Sequence, residues 1–262
     1  MPAPRKRFGQ HFLHDQAIIQ RIIAALAPQP DEHLIEIGPG QGALTLPVIK
    51  QIHHLEAVEI DRDLILELRS RVRRHGELVI YSSDVLAFDF ASVKQDDRPL
   101  RVFGNLPYNI STPLIFHLLD YASIISDMLF MLQKEVAERM AAKPNSEAYG
   151  RLSVMVQYHC QVALLFNVPA SAFYPPPQVE SSIVRLTPYR DYPYPAKNYA
   201  LFESIVKQAF GQRRKTLRNS LKELINDDVW AHIGIHSDLR PENLSVQDFV
   251  EISNSLDQGA KA

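Results

Sequence analysis

With one cysteine in 262 residues, the chain cannot form an internal disulfide. Cys160 lies in the largely apolar stretch from Val154 to Phe166, where a buried structural thiol is expected rather than a nucleophile. The ten histidines show no metal-ligand spacing alongside cysteine, so no metal is expected, and His53-His54 read as surface or loop residues. No apolar run reaches the roughly 18 residues of a membrane span, and the basic N-terminus lacks the apolar segment of a signal peptide. A cytoplasmic protein is therefore expected. Internal repeats and low-complexity tracts are missing too. So is any excess of charge: a net charge of −2 and a pI near 6.6 would not by themselves suggest a nucleic-acid partner.

A hydrophobic content of 46% is enough for a full core and a small second domain. Asp15 to Leu26 reads as a helix with Ile18, Ile19, Ile22, Ile23 and Leu26 on one face. Strands and helices then alternate from Leu34 through Leu165, which favours an α/β layer structure. Ser181 to Leu186 reads as the last strand, and Asp191-Tyr192-Pro193-Tyr194-Pro195 as a linker. From Tyr199 past Trp230 to Phe249 the pattern is helical. The spacing predicts two domains, residues 1–190 and an all-α segment over 191–262.

Four strand ends carry unusual chemistry. Leu34 to Ile37 runs into Gly38-Pro39-Gly40-Gln41-Gly42, a turn whose glycines let the backbone approach a ligand, followed by the free N–H groups of a helix start. The next strand, from Leu55, ends at Glu59-Ile60-Asp61, where a carboxylate can accept both hydroxyls of a ribose. A third, from Leu78, ends in Asp84. A fourth, with Leu100, Val102 and Phe103, ends in Gly104-Asn105-Leu106-Pro107-Tyr108-Asn109-Ile110-Ser111. Here the Asn105 amide oxygen and the Leu106 carbonyl can accept both hydrogens of an exocyclic amine, Pro107 stiffens the turn, and Tyr108 offers a face for stacking. In an open parallel sheet these ends converge on one crevice. Each acid could instead be a helix N-cap, and a nicotinamide site would share the glycine turn and the ribose acid. Nicotinamide binding gives no reason for Asp84 or for Asn-Leu-Pro-Tyr.

Local charge departs from the neutral average. Gly211 to Lys222 carries Arg213, Arg214, Lys215, Arg218 and Lys222 with no acid, and Leu217, Leu221 and Leu224 continue at helical spacing. A helix there would present a cationic side to phosphates. Arg69, Arg71, Arg73 and Arg74 form a second run and Arg5-Lys6-Arg7 a third, with a solvated face as the alternative for each. Phe173 and Tyr174 precede three prolines that hold an extended segment, so an aromatic could be held out for a base or packed under the linker.

The chain resembles the bacterial small-subunit (16S) ribosomal RNA adenine dimethyltransferases over nearly its whole length. The resemblance is carried by Arg7-Phe8-Gly9-Gln10-His11-Phe12-Leu13, Glu36-Ile37-Gly38-Pro39-Gly40, Val58-Glu59-Ile60-Asp61, the Asn105 turn, Leu132-Gln133-Lys134-Glu135-Val136, Tyr149-Gly150-Arg151-Leu152-Ser153, Phe173-Tyr174-Pro175-Pro176-Pro177 and Gln212-Arg213-Arg214-Lys215-Thr216. It implies a Rossmann-like methyltransferase sheet with a small C-terminal all-α domain. It also implies S-adenosylmethionine held by His11, Leu13, Gly38, Glu59, Asp84 and Asn105, and Phe173 as a second stacking surface opposite Tyr108. The position of His11 is often asparagine in the family, which makes that contact dependent on tautomer and pH. The implied reaction dimethylates N6 of two adjacent adenosines near the 3′ end of small-subunit ribosomal RNA, by a monomer acting on the immature small subunit. Rival readings are a large-subunit adenine methyltransferase of the resistance type, a DNA-adenine or protein-glutamine methyltransferase, and a non-catalytic assembly factor.

Overall fold

The computed structural model describes residues 10–212 and 214–259. In chain order its main elements are β1 (Phe12–Leu13), α1 (Gln16–Leu26), β2 (His33–Ile37), α2 (Thr45–Ile52), β3 (His54–Glu59), α3 (Arg62–Val72), β4 (Glu77–Ser82), β5 (Leu100–Asn105) and α4 (Ser111–Leu119). There follow β6 (Ile125–Gln133), α5 (Lys134–Ala141), α6 (Arg151–His159), β7 (Cys160–Val168), β8 (Phe173–Tyr174), β9 (Ser181–Pro188), α7 (Tyr199–Gly211), α8 (Leu217–Ser220), α9 (Asp227–Ile233) and α10 (Val246–Gly259). The chain divides into two compact units, Met1–Ala137 with Val162–Pro188 and Glu138–Gln161 with Tyr189–Ala262. Residues 138–161, which chain order alone groups with the first domain, thus belong with the helices after 189.

In the first unit a seven-stranded sheet has the order β4-β3-β2-β5-β6-β9-β7. The β4-β3, β3-β2, β2-β5 and β5-β6 pairs are parallel, whereas β6 and β9 are antiparallel. All five residues of β2 are buried, as suits a parallel strand covered on both faces. The chain steps from β2 to β3 and β4 on one side, then returns to place β5 on the other. The carboxyl ends of β2 and β5 therefore flank the point where strand order reverses, the usual place for a ligand in an open α/β sheet. Gly104 is required for this pairing, because a Cβ there would run into the Ile37 carbonyl of β2.

Local chemistry sets the helices that frame the crevice. Asp15 caps α1 by accepting from the Ala17 and Ile18 amides at 2.9 and 3.1 Å, and all five residues expected on its apolar face are buried. Asp61 caps α3, whose buried side is Leu64, Ile65, Leu68 and Val72. Apart from Leu64, those faces share one apolar cluster with Leu34, Leu55, Phe103 and Leu129 of the sheet. At the opposite end of the strands from the crevice, Arg101 of β5 pairs with Asp127 at 2.7 Å and Glu32 at 2.5 Å and donates to the Leu26 carbonyl at 2.7 Å. Arg185 of β9 adds a bond to the Ala25 carbonyl, so two arginines satisfy orphan carbonyls at the end of α1.

The second unit is built on α6, α7 and α10. Its His159 holds Tyr192 and Tyr199 through Nδ1 and Nε2, each at 2.9 Å, and burial pushes its pKa down to about 4. The imidazole is thus neutral at pH 7, so one tyrosine must donate and the other accept. Neighbouring Cys160 is fully buried and its thiol is pushed up to about 12, in accord with a structural role. A long basic helix over 211–224 does not form. α7 ends at Gly211, Thr216 is extended, and α8 is a single turn whose Leu217, together with the following Leu221, is buried. Their backbone is diverted instead, with the Leu217 and Arg218 amides bonding the Leu239 and Ser237 carbonyls at 2.8 Å.

Candidate active site

A cleft of about 270 Å³, near the low end of small-molecule sites, opens at the carboxyl ends of β2, β3, β4 and β5. It is lined by residues 10–13, the glycine turn, Glu36, Val58 to Ile60, Ser83 to Leu86 and Asn105 to Ile110. Of the residues expected to hold a cofactor, His11, Leu13, Gly38, Glu59, Asp84 and Asn105 all line this one cleft. Asn105, Leu106, Pro107 and Tyr108 line it as well. Convergence of groups so distant in sequence follows from parallel pairing, which brings successive strand ends to the same edge.

Gly40 has φ +54°, and its missing Cβ would touch the Phe12 ring at 3.4 Å, so the turn can pass beneath the N-terminal segment. Glu59 is nearly buried. Its Oε1 accepts from the Ile60 and Asp61 amides at 2.9 Å and its Oε2 from the Gly40 amide at 3.2 Å. Burial raises its pKa against these three donors. Oε1 is then saturated, and one acceptor site remains on Oε2 for a ligand hydroxyl. Asp84 is exposed and also caps the short turn Val85–Ala87, accepting from the Leu86 amide at 3.0 Å, so the capping and cleft-lining readings both hold. Arg71 donates to the Gln41 carbonyl, so part of the Arg69–Arg74 run braces the glycine turn.

The Asn105 amide is oriented by its own bond. Nδ2 donates to the His11 carbonyl at 3.1 Å, which makes Oδ1 the acceptor left for a ligand. The Tyr108 hydroxyl bonds Ser181 Oγ at 2.6 Å, and burial raises its pKa. Its ring stacks with His11 at 5.6 Å between centroids and 27° between planes. Phe173 is placed otherwise than the sequence suggests. β8 pairs with β1, opposing Phe173 to Leu13, and sends the Phe173 ring into the core at 2% exposure, so it does not line the cleft. The exposed aromatic of that pair is Tyr174.

Arg214, Lys215 and Arg218 are exposed around α8, whereas Arg213 and Arg5-Lys6-Arg7 lie outside the described residues. Sequence reasoning did not single out Gln10, Phe12, Ser181 or Glu36. Of these only Glu36 gave a local signal, an acid inside an apolar strand. It is buried in β2, accepts from the Thr45 hydroxyl at 2.6 Å, and burial pushes its pKa up to about 8. The cleft thus carries the carboxyls of Glu36, Glu59 and Asp84, and no lysine or arginine lines it among the described residues. That lining suits a cationic or neutral ligand and disfavours the pyrophosphate of a dinucleotide.

A family model described as ribosomal RNA adenine dimethylase matches residues 2–258. The chain is 55% identical over 260 residues to a ribosomal RNA small subunit methyltransferase A of Chromohalobacter salexigens, covering 98% of this chain and 92% of the relative. It is 54% identical over 250 residues to the protein of that name in Alcanivorax borkumensis, covering 95% and 89%. Among solved structures it is similar to a dimethyladenosine transferase from Plasmodium falciparum, with a TM-score of 0.83 at 27% identity over 95% of this chain and 98% of that one. A 23S rRNA methyltransferase, ErmE, shares the fold with a TM-score of 0.72 at 23% identity, over 94% and 100% of the two chains.

Proposed function

This chain belongs to the ribosomal RNA adenine dimethylase family, and we infer that it methylates N6 of two adjacent adenosines near the 3′ end of small-subunit (16S) ribosomal RNA, using S-adenosylmethionine. The observation that carries this reading is the Asn105 amide, whose oxygen is turned free as an acceptor beside the Tyr108 ring. Identity of 55% through the whole chain with a small-subunit relative favours that substrate over the large-subunit rRNA, and the intact cleft disfavours a purely non-catalytic assembly factor.

S-adenosylmethionine, when bound, supplies an electrophilic methyl. The chain's own groups do the rest. Glu59 takes a ribose hydroxyl, Gly38 and Leu13 give close backbone approach, and Asp84 accepts from the cofactor's adenine amine. An adenine amine normally delocalises its lone pair into the ring and is a weak nucleophile. Accepting its hydrogens at Asn105 Oδ1 and the Leu106 carbonyl turns the lone pair towards the methyl and stabilises the positive charge that grows on nitrogen, with the Tyr108 face adding to it. Extracting the nucleotide from its stack costs a few kcal/mol, offset in this pocket. Labelled methyl transfer to immature small subunits, with mapping of the modified bases, tests the reading; label elsewhere, or none, overturns it.

Glu59→Ala should weaken S-adenosylmethionine binding by about 1–3 kcal/mol, because polar ligand groups lose their partner. Unchanged affinity by calorimetry in a folded variant would remove Glu59 from the site. The first unit, residues 1–137 with 162–188, is assigned to cofactor and chemistry, and the second, with its helical segment over 191–262, to docking on ribosomal RNA, in a cytoplasmic monomer. Arg214 and Lys215 are exposed there. Replacing Arg213, Arg214 and Lys215 by glutamine should weaken subunit binding and lower the salt slope by up to about one unit for each phosphate no longer neutralised. Cofactor affinity should not move. Normal subunit binding at every salt concentration would shift the RNA footprint to the α3 arginines or Arg5-Lys6-Arg7.

A further inference from the structure

β1 and β8 run antiparallel, with Phe12 opposite Tyr174 and Leu13 opposite Phe173. Directly opposed side chains share one face of such a ribbon, and burial follows that rule. Leu13 and Phe173 go into the core, whereas Phe12 and Tyr174 go to the other side. Phe12 lines the cleft with its ring against Gly40. Tyr174 stands next to it but outside the lining, 67% exposed. The other tyrosines of the first unit, Tyr81, Tyr108 and Tyr121, each lie against another ring. Tyr174 lies against none among the described residues.

A single exposed aromatic is ordinary on a protein surface; the position of this one is not. Its backbone is pinned on both sides. It pairs with β1, and the carbonyl of the following Pro175 lies 2.8 Å from His11 Nδ1, which must carry the hydrogen because a carbonyl can only accept. The His11 ring stacks on Tyr108, and the His11 carbonyl receives the Asn105 amide. Tyr174 is therefore tied, through Pro175 and His11, to the two side chains assigned to the target amine, while its ring stays outside the cleft that they line.

When an adenosine is drawn into a pocket, the base next to it in the RNA loses a stacking partner at the mouth. An aromatic face covers such a base whatever its sequence, and a tyrosine held by its backbone does so at little cost in side-chain entropy. We propose that Tyr174 stacks on the base adjoining the target adenosine and holds it at the cleft mouth while the target amine sits at Asn105. This role rests on the adenine-methylation reading above. The ring adds to positioning and takes no part in the chemistry, so transfer persists without it at a lower rate.

With small subunits below saturation, single-turnover transfer should fall about tenfold in Tyr174→Ala and in Tyr174→Leu, which keeps apolar bulk without a π face, and should stay within about twofold of wild type in Tyr174→Phe. Affinity for S-adenosylmethionine by calorimetry should be unchanged in all three, because the ring does not line the cleft. Wild-type transfer in Tyr174→Ala or Tyr174→Leu overturns the proposal, and so does a loss of cofactor affinity, which would make the ring a support for β1. Subunits reassembled with an abasic nucleotide in place of one adenosine of the pair, and then of the other, locate the contact. One ring lies on one side of the target, so the loss in Tyr174→Ala should vanish on one of these substrates and persist on the other. An equal loss on both overturns the proposal. A wild type that transfers nothing to intact subunits overturns the methylation reading itself, which wild-type transfer by Tyr174→Ala does not.

Discussion

Asn105→Ala slows methyl transfer by about 10²–10³-fold, the loss seen when one preorganised group facing developing charge is removed, while RNA affinity changes little because phosphate contacts carry it. Two bonds disappear together in this variant. The acceptor facing the amine is lost, and so is the Nδ2 bond to the His11 carbonyl that holds the N-terminal segment over the cleft. Asn105→Asp separates them, since a carboxylate still accepts from the amine but repels the His11 carbonyl. Tyr108→Phe keeps the stacking face and loses only the bond to Ser181, so it should be milder than Tyr108→Ala and should match Ser181→Ala. Filter binding and single-turnover transfer on the same preparations check all five variants. Equal loss in Tyr108→Phe and Tyr108→Ala would show that the hydroxyl, not the ring, is what transfer depends on.

Arg101→Ala has the largest expected effect on stability, about 3–5 kcal/mol, because removal of one partner leaves carboxylates poorly solvated and uncompensated. Arg101 and Asp127 have side-chain exposures of only 12% and 14%, and Arg101 also ties Glu32 and the end of α1. At about 2–4 °C per kcal/mol for a domain of this size, Tm should fall by roughly 10 °C. The exposed Arg98–Asp96 pair is the control: it is nearly as short, at 2.7 Å, with both side chains in solvent. Arg98→Ala should leave the denaturation midpoint close to that of the wild type. Denaturant titration of the two variants decides it, and equal effects would mean that burial does not govern these pairs. Because α1 follows directly on the cleft segment, Arg101→Ala should also weaken cofactor binding near its lowered Tm.

Much of the first unit was legible because its signals are local. Apolar period gave α1 and its five buried isoleucine and leucine positions, a continuous apolar run gave β2, and an acid or amide at each strand end gave the cleft. Other features depended on partners far away in the chain. Nothing in Ser181 to Leu186 reveals that β9 runs antiparallel beside β6, although that placement brings Ser181 to the Tyr108 hydroxyl. The prolines after Phe173 suggested an extended segment that could hold the aromatic out, yet pairing of Phe173–Tyr174 with β1 turned the Phe173 ring inward. Leucines at helical spacing beyond Gly211 were equally consistent with a helix and with a turn that buries them, and diverted backbone hydrogen bonds selected the turn.

The sequence by itself determined the class of the fold, the family, and the set of groups offered to a ligand, since each is written in a short run of residue types whose period or turn chemistry acts locally. Tertiary structure alone decided which end of the Asn105 amide faces outward, which tautomer His11 adopts, which arginine braces the glycine turn, and that residues 138–161 join the C-terminal helices. The physical reason is that a side chain's identity limits the bonds it can make, whereas the bond actually made is fixed by whichever partner the folded backbone carries to within about 3 Å of it.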